Sequence, residues 1–257
     1  MNDQIESTSK APGLIQKSAT TGRFFGVGVG PGDPELLTLK AARLILNAEV
    51  VCYLANEKGE SQARTIAVEA FKNSNPAQVE MPIVVPILLD RTLANRAYDE
   101  GAEAIRAELD QGRDVVFICE GDPMFFGSFA YLLERLQDSY CCQVVPGISS
   151  VHAAASALQL PLTMLRESFA VISGRHTDQQ IRQALLEHDS VVIMKAGQAR
   201  PRILALLTET GRLDEANYLE YIGRDNERIL HNVAELADEP GPYFSIFVVI
   251  RQQRDRG

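Results

Sequence analysis

The chain has 257 residues, 46% of them apolar and 23% charged, with a formal net charge of −9. That length holds one large domain or two smaller ones. The acidic balance, with no run of Lys or Arg, excludes a broad face that binds nucleic acid by neutralising phosphates.

The first 22 residues are polar and mixed in charge. They lack the apolar core of a signal peptide, so a disordered tail and a cytoplasmic location are expected. Strands are predicted at residues 24–29, 49–54, 79–85, 115–119 and 142–145. Helices are predicted between and after them, at 35–46, 61–71, 92–109, 125–136 and 149–158. Several of the strands are all-apolar runs, as expected for strands covered on both faces. The β-α alternation predicts a parallel sheet.

A break follows at 159–163, with Pro161 inside it. Beyond it the pattern predicts strands at 169–173, 190–194, 217–222, 227–232 and 243–250. Helices fit at 177–187 and 200–210. The expected class is α/β with two αβα domains, an N-terminal parallel sheet and a C-terminal mixed sheet. The expected division is a tail at 1–22, one domain at 23–160 and a second at 161–251. Cys52, Cys119, Cys141 and Cys142 form no C-x-x-C pair. Their spacing indicates no zinc site, and they read as buried thiols. No apolar stretch approaches the roughly 20 residues of a membrane span.

The loop Gly26-Val-Gly-Val-Gly-Pro-Gly-Asp33 joins the first predicted strand to the first helix. The dinucleotide fingerprint G-x-G-x-x-G fails in both registers, because Pro31 or Asp33 falls where the last glycine belongs. No G-K-[ST] follows, so it is not a phosphate loop. Asp33 is placed as N-cap, Pro34 as the first helical residue, and Glu35 comes next. A phosphate at that helix end would meet two carboxylates, whereas a cationic sulfonium would not.

The loop Glu120-Gly-Asp-Pro-Met-Phe-Phe-Gly127 repeats the design: apolar strand, Gly, Asp, Pro, helix. Ligands of open α/β sheets sit beyond the carboxyl ends of strands, so both loops can face one crevice. Asp122-Pro123 also reads simply as cap and first helical residue. A third strand end carries Val145-Pro-Gly-Ile-Ser-Ser150, with Ser149 or Ser150 as N-cap. In the second half, the strand Val191-Val-Ile-Met-Lys195 ends on Met194 and Lys195.

These segments, in this order, resemble the tetrapyrrole methylases over residues 23–251. Three further stretches look like the branch that methylates C-20 of precorrin-2 in cobalamin synthesis. They are Ala55-Asn-Glu-Lys-Gly-Glu-Ser-Gln-Ala-Arg64, residues 121–132, and Ser173-Gly-Arg-His176.

The resemblance implies S-adenosylmethionine held between two domains, no metal, a precorrin-2 substrate and a homodimer. It implies Pro31 lining the cofactor pocket from the first loop. Glu120, Gly121 and Asp122 meet the amino-acid or ribose part, with Phe125 just beyond. Ser149 and Ser150 lie near the amino-acid part, Met194 packs by the adenine, and Ile222 offers backbone to it.

Precorrin-2 carries many carboxylates, for which Arg is the natural clamp. Arg64, Arg175, His176 and Lys195 are the substrate-side candidates, with Arg166 and Arg224 also near strand ends. Leu54 stands where one branch of the family has a proton-accepting Asp, so no base is assigned. Glu120, Asp122 and His176 have suitable chemistry. Gly223 stands where the family often has Thr. Rival readings are another tetrapyrrole methylase of the same pathway (cobalt-factor II C-20 or precorrin-4 type), a nucleotide-dependent oxidoreductase, and a non-enzymatic tetrapyrrole-binding or cofactor-binding module.

Overall fold

The computed structural model describes residues 21–85 and 91–253. The expected tail lies outside the described residues except for Thr21 and Gly22.

The first half contains β1 (Arg23–Gly28), β2 (Val50–Ala55), β3 (Val79–Val84), β4 (Val115–Cys119) and β5 (Cys141–Val145). Its helices are α1 (Leu39–Asn47), α2 (Gln62–Ile66), α3 (Val68–Phe71), α4 (Arg91–Asp110), α5 (Phe129–Leu136) and α6 (Ser150–Leu158). The strands form one sheet in the order β3-β2-β4-β1-β5, and every pair in it is parallel. Side chains alternate across the pleat. Phe24, Val50, Cys52, Val115 and Phe117 belong to the core on one face, with α4 and α5. Phe25, Val27, Val51, Val116 and Ile118 belong to the core on the other, with α1, α2 and α3.

The second half contains β6 (Phe169–Ser173), β7 (Ser190–Met194), β8 (Ala216–Glu220), β9 (Arg228–Leu230) and β10 (Ser245–Ile250), with α7 (Asp178–Glu187) and α8 (Arg200–Glu209). The sheet order is β6-β7-β10-β8-β9. Only β6 and β7 run parallel; β10 enters antiparallel to both neighbours, and β8 and β9 are antiparallel. The expected pair of sheets, one parallel and one mixed, is what the chain builds.

Helix α6 connects the halves. Its apolar face, Val151, Ala154 and Leu158, packs into the core of the second sheet with Val192, Leu219 and Val248. The first sheet is thereby docked against the second through a helix that follows β5 directly.

Three helices differ from expectation, two in where they start and one in its continuity. The first helix begins at Leu39, not residue 35. Asp33 does cap, but it caps a single 3-10 turn, Pro34–Leu36, with its Oδ1 accepting the Glu35 amide at 2.8 Å. The chain then extends at Leu37, and Thr38 caps α1 by accepting from Ala41 at 3.1 Å. Two competing caps, Asp33 and Thr38, divide the segment. The helix expected at 125–136 begins at Phe129, because Phe126 has φ +55, which no α-helix accommodates. The helix expected at 61–71 is broken at Ala67 into α2 and α3. Among the cysteines, Cys52 and Cys119 are buried and burial pushes both thiols up, but Cys141 is exposed on the edge strand β5.

Candidate functional site

Three strand ends of the first sheet meet through glycine backbone. Gly30 and Gly121 form an isolated antiparallel bridge: the Gly121 amide donates to the Gly30 carbonyl at 2.7 Å. Gly147 lies against both loops. A Cβ on it would stand 2.1 Å from the Gly121 carbonyl oxygen and 2.8 Å from Gly28 Cα, and a Cβ on Gly28 would stand 2.4 Å from that same oxygen. Asp122 ties the junction together. Its Oδ1 accepts the Met124 amide at 2.9 Å and its Oδ2 accepts the Gly147 amide at 3.0 Å. Asp122 is therefore a brace between the second and third loops rather than a helix cap. Ser149 is buried, and a Cβ on Gly121 would stand 3.9 Å from its Cα.

The first loop also touches the second half. A Cβ on Gly32 would stand 2.4 Å from the Ile222 carbonyl oxygen, and one on Gly223 would stand 2.9 Å from the Asp33 amide. Gly223 has φ +73, so the small residue there is required twice, for conformation and for space. Pro31 and Ile222 are both buried at this seam.

Across the seam the second half presents cations. Lys195 follows β7 and donates from Nζ to the Phe126 carbonyl at 3.1 Å. Burial lowers its ammonium pKa, Arg175 lowers it further, and Glu120 opposes both. Arg224 lies over the Phe244 ring at 4.0 Å and donates from Nη1 to Gln62 Oε1 at 2.8 Å. Its guanidinium is also held down by burial and pushed back by Glu120. Tyr243 is 56% exposed, yet crowding on its inner side raises its phenol, with Arg175 opposing and Glu120 adding. Glu120 thus feels Lys195, Arg224 and Tyr243, and Arg175 feels two of these. In a chain of net charge −9 this is a local gathering of positive charge at the seam between the two sheets.

Backbone strain collects here as well. Phe126, Lys195 and Tyr221 all have positive φ, at 55°, 54° and 52°. Such residues cost of order 1 kcal/mol each and concentrate at ligand sites.

The other sequence-derived residues fall as follows. Met194 is half-buried, and its carbonyl accepts the Gly174 amide at 2.7 Å. That bond brings the segment Ser173-Gly-Arg-His176 to the end of β7. Arg202, which the sequence did not single out, fixes this segment by donating to the carbonyls of Gly174 at 2.5 Å and His176 at 2.9 Å. His176 Nδ1 accepts the Ser173 amide at 3.4 Å. Phe125 is partly exposed at 36% and packs edge-on to Phe126.

Ser149 occupies the N-cap position of α6 without capping it. Its Oγ pairs with His152 Nδ1 at 2.8 Å, and Ser150 is the first helical residue. Arg166 is exposed in the connection between the halves. Arg64 is held by Glu80 through two bonds, at 2.6 and 3.0 Å, and lies 3.7 Å over Phe71. Tyr53 donates to the same carboxylate at 2.8 Å. A cavity of about 470 Å³ opens beside the glycine junction, bounded by Asp33, Gly147, His152 and Ile222. Glu120 and Met194 do not line it, so it lies next to the cleft rather than in it.

The family model for Tetrapyrrole (Corrin/Porphyrin) Methylases matches residues 23–237. The chain belongs to the tetrapyrrole methylases. Among its relatives, a precorrin-2 C(20)-methyltransferase of Sinorhizobium sp is 35% identical over 89% of this chain and 95% of its own. A cobalt-precorrin-2 C(20)-methyltransferase of Salmonella typhimurium is 33% identical over 90% and 97%. A solved uroporphyrin-III C-methyltransferase from Thermus thermophilus, complexed with S-adenosyl homocysteine, is 27% identical with a TM-score of 0.62. That likeness covers 89% of this chain and 97% of the solved one. As a tetrapyrrole methylase, the chain is a methyltransferase that draws its methyl group from S-adenosylmethionine.

Proposed function

We propose that the protein transfers a methyl group from S-adenosylmethionine to the C-20 meso carbon of precorrin-2 in cobalamin synthesis. The observation that carries this reading is the glycine junction of Gly28, Gly121 and Gly147 facing a cation-rich wall from the second half. The residues fit the cofactor. Glu120 and Asp33 suit a cationic ligand better than a phosphate.

When bound, S-adenosylmethionine supplies a methyl already activated on a positive sulfur. The protein's task is then placement. Gly121 and the brace Asp122 hold the second loop, and Pro31, Phe125, Ser149, Ser150, Met194 and Ile222 complete the cofactor side. Arg175, His176 and Lys195 orient the acidic ring from the other side, while Arg64, expected with them, is committed to Glu80. Holding two reactants in line can supply roughly 7–11 kcal/mol of a barrier. The reading includes a cytoplasmic location and a homodimer, the latter carried over from the family resemblance and checked by sedimentation of the purified chain.

The test is incubation with precorrin-2 and methyl-labelled S-adenosylmethionine, followed by mass spectrometry and mapping of the new methyl. One label at C-20 is expected. A label elsewhere on the ring, or none, overturns the assignment. Running cobalt-precorrin-2 in parallel decides which form of the substrate the protein prefers, since relatives of both names match it.

A further inference from the structure

Arg224 carries a buried, unsatisfied donor at the cleft. Its Nη1 is engaged by Gln62, but its Nε is buried with no hydrogen-bond partner. Among the described residues, no carboxylate pairs with it and no other side-chain bond is made by its guanidinium. A buried N–H left unsatisfied is expensive, and native structures keep few of them. The flat of the guanidinium is fixed on Phe244 at 4.0 Å, and its Cγ is wedged beside Gly32 of the first loop. The group is therefore preorganised. One end is tethered to α2 of the first half, one face is stacked, and the Nε/Nη2 edge is left over. That edge is the one an Arg offers side-on to a carboxylate in two parallel bonds.

We infer that Arg224 is a carboxylate-binding residue, whose Nε/Nη2 edge takes a ligand carboxylate in the cleft beside Gly32 and Glu120. This rests on the proposed methyl transfer and adds to it the group that fixes one acidic end of a ligand. The carboxylate comes either from the amino-acid part of the cofactor or from an acidic side chain of the tetrapyrrole. The chemistry on the protein side is the same. The tether to Gln62 gives it a second consequence: the bound carboxylate is read by both halves at once, because the residue that holds it spans them.

The experiment compares Arg224→Gln, Arg224→Lys and Gln62→Ala with the unmodified chain. S-adenosylhomocysteine binding is read by calorimetry, with 5′-methylthioadenosine as the probe that lacks the carboxylate. KM and kcat are read with precorrin-2. A lost charge-assisted pair weakens binding about 10- to 100-fold. If the cofactor supplies the carboxylate, Arg224→Gln loses that much affinity for S-adenosylhomocysteine and none for methylthioadenosine. If the substrate supplies it, cofactor binding is unchanged and KM for precorrin-2 rises by the same factor. Lysine restores only part of either loss, since it cannot make the fork.

Gln62→Ala keeps the carboxylate edge and changes either constant less than threefold. Unchanged constants in both Arg224 variants overturn the inference, as does a Gln62→Ala variant that reproduces the full loss. The latter result makes Arg224 a strut between the halves. An unmodified chain that neither binds S-adenosylhomocysteine nor transfers a methyl overturns the proposed function itself, which is a separate outcome.

Discussion

The two halves of the molecule contribute to the cleft in different currencies of structure. The first half offers backbone. Its strand ends meet as Gly28, Gly121 and Gly147, and a Cβ added to Gly28 or Gly147 would fall 2.4 or 2.1 Å from the Gly121 carbonyl oxygen. The second half offers side chains. Lys195, Arg175, Arg224 and Tyr243 are displayed from the ends and connections of its mixed sheet. Close backbone contact leaves no slack, because interiors are packed to crystal density. A long side chain can be shortened and its neighbours relax. Substitutions in the first half should therefore act nearly all-or-none, and those in the second should be graded.

The largest effect is expected at Gly147→Ala. The new Cβ displaces the Gly121 carbonyl, and with it the brace that Asp122 makes to the Gly147 amide. Calorimetry should find S-adenosylhomocysteine binding lost, and the melting temperature should fall by about 5 °C, the scale of a modest overpacking cost. A variant that binds normally breaks the contrast outright. Next comes Gly32→Ala, where the backbone contact lies between the halves: its Cβ would stand 2.4 Å from the Ile222 carbonyl. About a tenfold loss in kcat/KM is expected, with faster hydrogen exchange at the Gly223 amide. Unchanged exchange there would show that the seam can slide.

This contrast also explains what the sequence reveals. The strands at 115–119, 169–173 and 190–194 are legible to the residue, because each is a short, largely apolar run. The glycine motifs are legible for a related reason: only glycine fits, so the sequence records the contact. The bridge between Gly30 and Gly121 is nevertheless invisible until the sheet order places β1 beside β4.

The second half is harder to read. Antiparallel insertion of β10 between β7 and β8 is a long-range choice that no local pattern encodes. Arg202 and Arg224 look like the other arginines of the chain. Their importance comes from what lies across from them, at 26 and 28 residues' separation for Arg202 and 162 for Arg224. The start of α5 is misread because Met124, Phe125 and Phe126 continue an apolar pattern while Phe126 is turned left-handed and exposed.

Two arginines sharpen the graded side of the contrast. Arg64 and Arg175 both read from sequence as clamps for substrate carboxylates, but only one is committed elsewhere. Arg64 already makes a two-point pair with Glu80 and stacks on Phe71. The guanidinium of Arg175 makes no hydrogen bond or ion pair among the described residues, while its field reaches Lys195 and Tyr243. Arg175→Ala should raise KM for precorrin-2 about tenfold and leave S-adenosylhomocysteine affinity alone. Arg64→Ala should change KM less than threefold and instead lower stability by about 1 kcal/mol, since the pair is partly solvated. The reverse order in KM would mean that Glu80 hands Arg64 over to the substrate.

The smallest effect is a displacement along the pH axis, and Lys195 is its source. Burial and Arg175 hold its folded pKa below the ordinary lysine value. The charged form is therefore disfavoured in the fold. That cost to stability is present below the folded pKa and is relieved as pH rises from there to the unfolded value. Ligand binding has the opposite sign, because only the ammonium attracts a carboxylate. KM for the tetrapyrrole should thus climb by about threefold on an alkaline limb that begins below the usual lysine range. Lys195→Arg keeps its charge throughout and should remove that limb while leaving KM near neutrality within about twofold. If the limb survives in Lys195→Arg, the titrating group belongs to another residue. The amine of Lys195 would then serve only to hold the Phe126 carbonyl across the cleft.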